Sequence, residues 1–382
     1  MIIQGGTIYT CLTGVVEEGY VRIQGDKILS VEQGIYTGPE EVLDARGCLV
    51  TPGFIDSHCH IGMWEEGLNF EGDDGNEETD PCTPHLRALD AINPLDRAFG
   101  DALSFGITTV VTGPGSANPV SGQFLAMKTH GRVIDEMVVR APCAMKFALG
   151  ENPKTVYNGK SQQPTTRMAI ASVIRDQLVK ARRYMEDLER AKEDDELDPP
   201  DVDSKCEALI PVLKGELKAH FHAHRADDIC TAIRLTREFH LDSVIIHGTE
   251  GHLIADTIAQ SGLPVVCGPI ISTRSKPELR NMERHNAARL MEAGVPVSIA
   301  TDAPVVPVEM LGTSAAICAQ HGISLEAALE ALTIRAARVA GIQDRVGAIA
   351  PGLDADLLIF SQSPLGLLVK PDHLVLEGKL LF

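Results

Sequence analysis

The chain has 382 residues, 44% of them hydrophobic, and a formal charge of −19 from 53 acidic and 34 basic residues. That is enough apolar material for one large core or for a barrel with a small accessory domain. The acidity, with no Lys/Arg cluster interleaved with aromatics, excludes nucleic-acid binding and otherwise describes a charged surface.

No uninterrupted apolar run is long enough to span a membrane. The opening Met1-Ile2-Ile3-Gln4-Gly5-Gly6 lacks the basic flank and apolar stretch of a signal peptide. Nine cysteines without a CxxC pair argue against a disulfide framework and against a Cys-based zinc site. A reducing cytoplasm is the expected compartment.

In chain order, Met1 to Tyr9, Gly19 to Gln24 and Lys27 to Val31 read as short strands, with Gly25-Asp26 as a hairpin signal. From about Leu49 to about Gly341, short apolar runs alternate with helical patterns, as βα units do. Eight candidate strands fall at Phe54–Asp56, Ile107–Thr112, Ala126–Thr129, Ala144–Ala148, Ala219–His222, Ser243–His247, Pro264–Cys267 and Val297–Thr301. Eight strands over this length suit a closed (β/α)₈ TIM-like barrel better than an open sheet. One connection is oversized, with amphipathic Met168–Lys192, an acidic linker at 194–204, and a second helix over Lys205–Leu217. Strand character returns at Ala355–Phe360 and His373–Phe382. The expected organisation is therefore a small β-sandwich accessory domain from residues 1–50 and 345–382, around a barrel at 51–344 with a helical insertion at about 168–217.

The chemistry concentrates at strand ends. In Phe54-Ile55-Asp56-Ser57-His58-Cys59-His60 an apolar strand ends in histidines at i and i+2, so both imidazoles share a face. Catalytic residues of barrels sit at such C-terminal ends, and histidine is the commonest metal ligand. Ala219-His220-Phe221-His222-Ala223-His224 places three more histidines on one face, Val244-Ile245-Ile246-His247 ends in another, and Val297-Ser298-Ile299-Ala300-Thr301-Asp302 ends in an aspartate. One such pair could be chance; four strand ends of this kind converge only if the barrel closes. Lys146 lies inside apolar Ala144-Met145-Lys146-Phe147-Ala148. Burial favours its neutral amine, which can react with carbon dioxide; a snorkelling or salt-bridged lysine is the plainer alternative.

These motifs resemble the amidohydrolase superfamily almost end to end. TPGFIDSHCH at Thr51–His60 is similar to its first-strand motif and IATDAP at Ile299–Pro304 to its eighth. Ala327–Gly341, followed by Gly352-Leu353-Asp354-Ala355-Asp356-Leu357-Leu358, is similar to its closing signature. The HAH at 222–224 looks nearest to the imidazolonepropionase- and prolidase-related branch. The resemblance implies that His58, His60, His222 and His247 are metal ligands. Asp302 would be both ligand and catalytic general base, and Lys146 a carboxylated bridge between two metals. His224 would face the substrate. The deaminases of the superfamily want a glutamate soon after the fifth-strand histidine, and Ala223-His224-Arg225 stands there instead.

The implied cofactor is a divalent metal, one or two ions: zinc by the His and carboxylate donor set, with manganese, iron or cobalt accommodated by the same donors. The implied reaction is cleavage of a carbon–nitrogen amide-type bond by metal-activated hydroxide. His224 and Arg225 after strand five, Arg274 and Lys276 after strand seven, and Lys154 after strand four are candidate cations for a substrate carboxylate. They point to a dipeptide, N-acyl amino acid or cyclic amide. The acidic loop Met63–Pro84 is a lid, a screen for cationic substrates, or merely solvated. The rivals are a mononuclear cyclic amidase or deaminase-like enzyme, and a non-catalytic barrel scaffold, although no expected ligand is missing. The expected partner is a small molecule, not a nucleic acid or a membrane, and a homo-oligomer is compatible with the sequence.

Overall fold

The computed structural model describes residues 1–382. Its terminal sheet follows from period-two burial: along Val15–Gln24, Gly19, Val21 and Ile23 point inward while Tyr20 and Arg22 stay partly exposed. Gly25, at φ 63°, makes the turn that pairs Gln24 with Lys27. The two chain ends meet through Leu49–Pro52, which runs parallel to Ile2–Tyr9 and antiparallel to Leu357–Phe360. The strands form one continuous eight-stranded sheet rather than the expected two-sheet sandwich. The reason is that Leu49–Pro52 bonds along both of its edges and so fuses the N-terminal and C-terminal strands into one ladder. Ile3, Ile8, Val21, Ile28, Val50, Leu357 and Ile359 form a separate core against it.

The second sheet holds the site. In order its strands are Phe54–Cys59, Ile107–Thr112, Val120–Lys128, Val138–Ala148, Lys218–Ala223, Ser243–His247, Val265–Cys267 and Val297–Ile299. All eight expected strands are present, but the third runs antiparallel to both neighbours. Parallel strands need a crossover of about a dozen residues or more, and the links at 113–119 and 129–137 are too short for that. The barrel therefore departs from a strict (β/α)₈ pattern.

The first and eighth strands nearly close it. Asp302 N–H donates to His58 O at 3.1 Å, and the fully buried Asp56 carboxylate accepts from Thr301 N–H at 3.2 Å and from its hydroxyl. Ser57 and Ser298 hydroxyls join at 3.0 Å.

The oversized connection is a helix pair, Arg167–Glu193 and Ser204–Leu213. The first begins and ends within one residue of expectation; the second is shorter, because backbone N–H groups of Glu216 and Leu217 fold back onto Pro211 O. Thr166 and Asp203 cap the two N-termini. Ile170, Ile174, Leu178 and Ala181 pack with Cys206, Leu209 and Val212 over Phe147 and Phe221. The pair thus covers the fourth and fifth strands, from which Lys146 and His222 project. No helix is long and apolar enough to cross a membrane.

Candidate metal centre and active-site cavity

The strand ends converge. His58 Nε2 lies 3.0 Å from Lys146 Nζ and 3.7 Å from Asp302 Oδ1, and His60 Nε2 lies 3.2 Å from Asp302 Oδ1. The ligand atoms of His58, His247 and Asp302 fall within 4.8 Å of one another, as do those of His222, His224 and His247. Two overlapping clusters thus share His247. His220, by contrast, turns away and its Nε2 hydrogen bonds to Val339 O at 2.9 Å.

Outer contacts fix the rings. His60 Nδ1 meets Gly113 O at 2.7 Å, and His247 Nδ1 meets Gly268 O at 2.6 Å. Both carbonyls demand a donor, which leaves Nε2 as the lone-pair atom facing inward. His224 Nδ1 pairs with Thr249 Oγ1 at 2.7 Å. Gly268 is needed for this approach, since a Cβ there would stand 2.1 Å from Ala300 O. His247 and Asp302 adopt φ of 73° and 60°, left-handed conformations that cost about 1–3 kcal/mol each and persist where surrounding structure enforces them.

Burial sets the electrostatics. It drives His58, His222 and His224 well below the usual imidazole range, and His247 down to about 4. All four are therefore neutral bases near pH 7. Burial also lowers Lys146 to about 7, with Asp302 opposing. For Asp302, burial pushes the pKa up, but His247, His60 and Lys146 outweigh it and hold the carboxyl ionised. His222 has no hydrogen-bond partner at either ring nitrogen, and His58 has none at Nδ1. Neutral, buried, unpartnered imidazoles beside a carboxylate fit a divalent cation and satisfy little else.

His60, His222, His224, His247 and Asp302 floor a cavity of about 800 Å³, with His58 and Lys146 buried out of its lining. Trp64, Glu65, Glu66, Asn76 and Glu78 of the acidic loop form part of its wall, and the Trp64 ring meets His60 edge-on at 4.8 Å. Three expected substrate cations do not line it. Arg225 is taken by Asp227 at 2.9 Å, and Arg274 turns outward to Met282 O and Glu283. Lys154 is exposed on the helix Glu151–Gly159. Arg225 and Arg274 are drawn to partners beside them in the chain, and Arg274 borders a smaller adjoining cavity that shares His247 and Thr249. His224 does line the cavity, together with Lys276. Sequence reasoning missed Glu278, buried with Oε1 3.5 Å from His224 Nε2 and 4.0 Å from His222 Nε2. A glutamate in Ser275-Lys276-Pro277-Glu278-Leu279-Arg280 carries no local sign of burial.

Comparison with known proteins agrees with this geometry. The amidohydrolase family model matches residues 49–381. The chain is 28% identical over 391 residues to the amidohydrolase tasK of Hapsidospora irregularis, covering 95% of this chain but only 39% of that protein. It is 24% identical over 402 residues to the imidazolonepropionase of Geobacillus kaustophilus, covering 91% and 85%. The solved structure of an amidohydrolase from Thermotoga maritima superposes with a TM-score of 0.95 at 39% identity, over 100% of this chain and 99% of that one. With a match that spans most of its length and the barrel-end donor set in place, the chain belongs to the amidohydrolase family.

Proposed function

We propose that this protein is a metal-dependent hydrolase that cuts the carbon–nitrogen bond of a small, carboxylate-bearing amide: a dipeptide, an N-acyl amino acid or a cyclic amide. The observation that carries the reading is the convergence of His58, His60, His222, His247 and Asp302 at the cavity floor, with Lys146 against His58. His58, His60 and Asp302 would hold one zinc ion and His222 and His247 a second, with Lys146 as a carboxylated bridge between them. The two overlapping clusters support two positions over one.

A bound ion would lower the pKa of water and polarise a carbonyl. Asp302, kept ionised by its imidazole neighbours, accepts the proton of the attacking water and returns it to the departing nitrogen. His224, pinned through Nδ1 to Thr249, faces the substrate. Trp64 and the loop around it exclude water from the floor. Glu65 and Glu66 on the wall would meet a cationic end of the substrate, so a basic or zwitterionic amino-acid derivative suits both walls.

The deciding experiment is metal analysis of the purified protein combined with a panel of N-acyl amino acids, dipeptides and cyclic amides. Two ions per chain and turnover of an amide are expected; one ion means a mononuclear enzyme. No metal and no turnover after reconstitution would return the barrel to a scaffold role. His222→Ala should empty the second position, whereas His224→Ala should keep metal and impair turnover.

A further inference from the structure

We infer that Lys276, held from behind by Glu278, is the residue that selects the substrate's carboxylate, and that this carboxylate is α to the scissile nitrogen. The inference rests on the hydrolase reading for the location of the reacting bond. Lys276 is the only lysine or arginine lining the cavity. Its ammonium has three donors. Asn152 Oδ1 accepts one at 3.1 Å, and Glu278 Oε1 pairs with the charge at 2.6 Å without hydrogen-bond geometry. The donors not engaged by Asn152 are available to a ligand.

The support behind it is rigid. Glu278 is almost wholly buried, and its Oε2 accepts Glu151 N–H at 3.0 Å while its own N–H donates to Glu151 Oε2 at 3.2 Å. The loop after the seventh strand is thereby locked to the first turn of the helix after the fourth. Asn152 is fixed in turn by Ser116 Oγ at 2.7 Å. A lysine on a free loop would lose a large part of its binding energy to side-chain entropy; this one is pre-oriented.

Position gives the substrate class. Glu278 Oε1 touches Lys276 Nζ at 2.6 Å and stands 3.5 Å from His224 Nε2, so those two distances bound the separation between the ammonium and the imidazole cluster. In an N-acyl α-amino acid or a dipeptide the carboxylate carbon is three bonds from the scissile carbonyl carbon, which matches so short a span. A longer acid chain would have to fold back. Glu278 is a positioning residue, acting only through Lys276 and His224.

The test compares N-acetyl amino acids with their carboxamides, as substrates and, for binding alone, as the N-methylphosphonyl amino acid and its carboxamide by calorimetry. Losing a hydrogen bond to a charged group costs about ten- to a hundredfold in affinity. Wild type should favour the acid by about that factor, through KM and Kd rather than kcat. Lys276→Met should erase the preference at unchanged metal content. Because it strands the Glu278 charge, the pair Lys276→Met with Glu278→Gln is made alongside and should behave likewise, while Lys276→Arg keeps most of the preference. An acid preference that survives both Lys276→Met proteins, or equal binding of acid and amide by wild type, overturns the inference. Turnover of amides without acid preference sinks this inference alone. Acid-selective, Lys276-dependent binding without any turnover sinks the hydrolase reading instead.

Discussion

Asp354 offers a quantitative test of how the terminal sheet is fastened to the barrel. Its carboxylate is buried, yet Arg345 grips it through two bonds of 3.0 and 2.9 Å, Lys128 Nζ lies at 3.0 Å, and Lys27 closes a third side. Lys128 comes from the end of the antiparallel third strand, which lies opposite the histidine cluster, and Lys27 comes from the terminal hairpin. Burial alone would push the Asp354 pKa up; Arg345, Lys128 and Lys27 instead bring it down to about 2. A drop of that size from the ordinary 3.8 is worth about 2 kcal/mol.

Asp354→Asn forfeits that sum. It does not reach the 3–5 kcal/mol of a fully buried broken pair, because the side chains of Lys27 and Arg345 are 37% and 39% exposed and can turn to water, while Lys128 retains Asp356. With an unfolding entropy of about 2 cal/mol/K per residue, a chain of this length loses about 3 °C of Tm for 2 kcal/mol. Calorimetric or fluorescence melting at pH 7 measures it, with Asp44→Asn as control. Asp44 and Arg46 make more hydrogen bonds but lie open to solvent, and breaking them should leave Tm in place. Turnover per folded molecule should not change, because the network sits on the stability face of the barrel. A Tm shift no larger than the control's, or lost turnover at unchanged Tm, would refute the reasoning.

Other consequences can be checked directly. The folded pKa of Asp354 is depressed, so its stabilisation is present above pH 3.8 and is lost as pH falls toward 2; wild type should lose Tm through that window more steeply than Asp354→Asn. Asp302→Asn should lower kcat by about a hundred- to ten-thousand-fold at nearly unchanged Tm, since asparagine also tolerates a left-handed backbone of φ 60°; near-normal rates would move the base elsewhere, with His224 the first candidate. Lys146→Ala should lose metal and activity together and recover part of both with a short carboxylic acid. Bicarbonate during reconstitution should raise occupancy of the wild type, and density for a bare amine at full metal occupancy would rule out the bridge.

The residues on the cavity floor were legible in the sequence because each is tied to its own strand. A run such as Val244-Ile245-Ile246-His247 buries its apolar part and must put the histidine where the strand stops, whatever the rest of the chain does. The same local logic gives the helix Arg167–Glu193, whose buried positions recur at three and four. The cavity wall is different. Lys276, Glu278, Asn152 and Ser116 come from two loops and the first turn of a helix, placed by one another and not by their own periodicity. Cations chosen by sequence proximity, Arg225, Arg274 and Lys154, consequently do not line this cavity. The antiparallel third strand also escaped notice: its alternation says strand but carries no direction, and only the short links at 113–119 and 129–137 decide it once the neighbours are known. The sequence by itself determined that histidines and an aspartate stand at these strand ends. The tertiary structure alone decided which cation lines the cavity, because a loop side chain's direction depends on contacts distant in the chain.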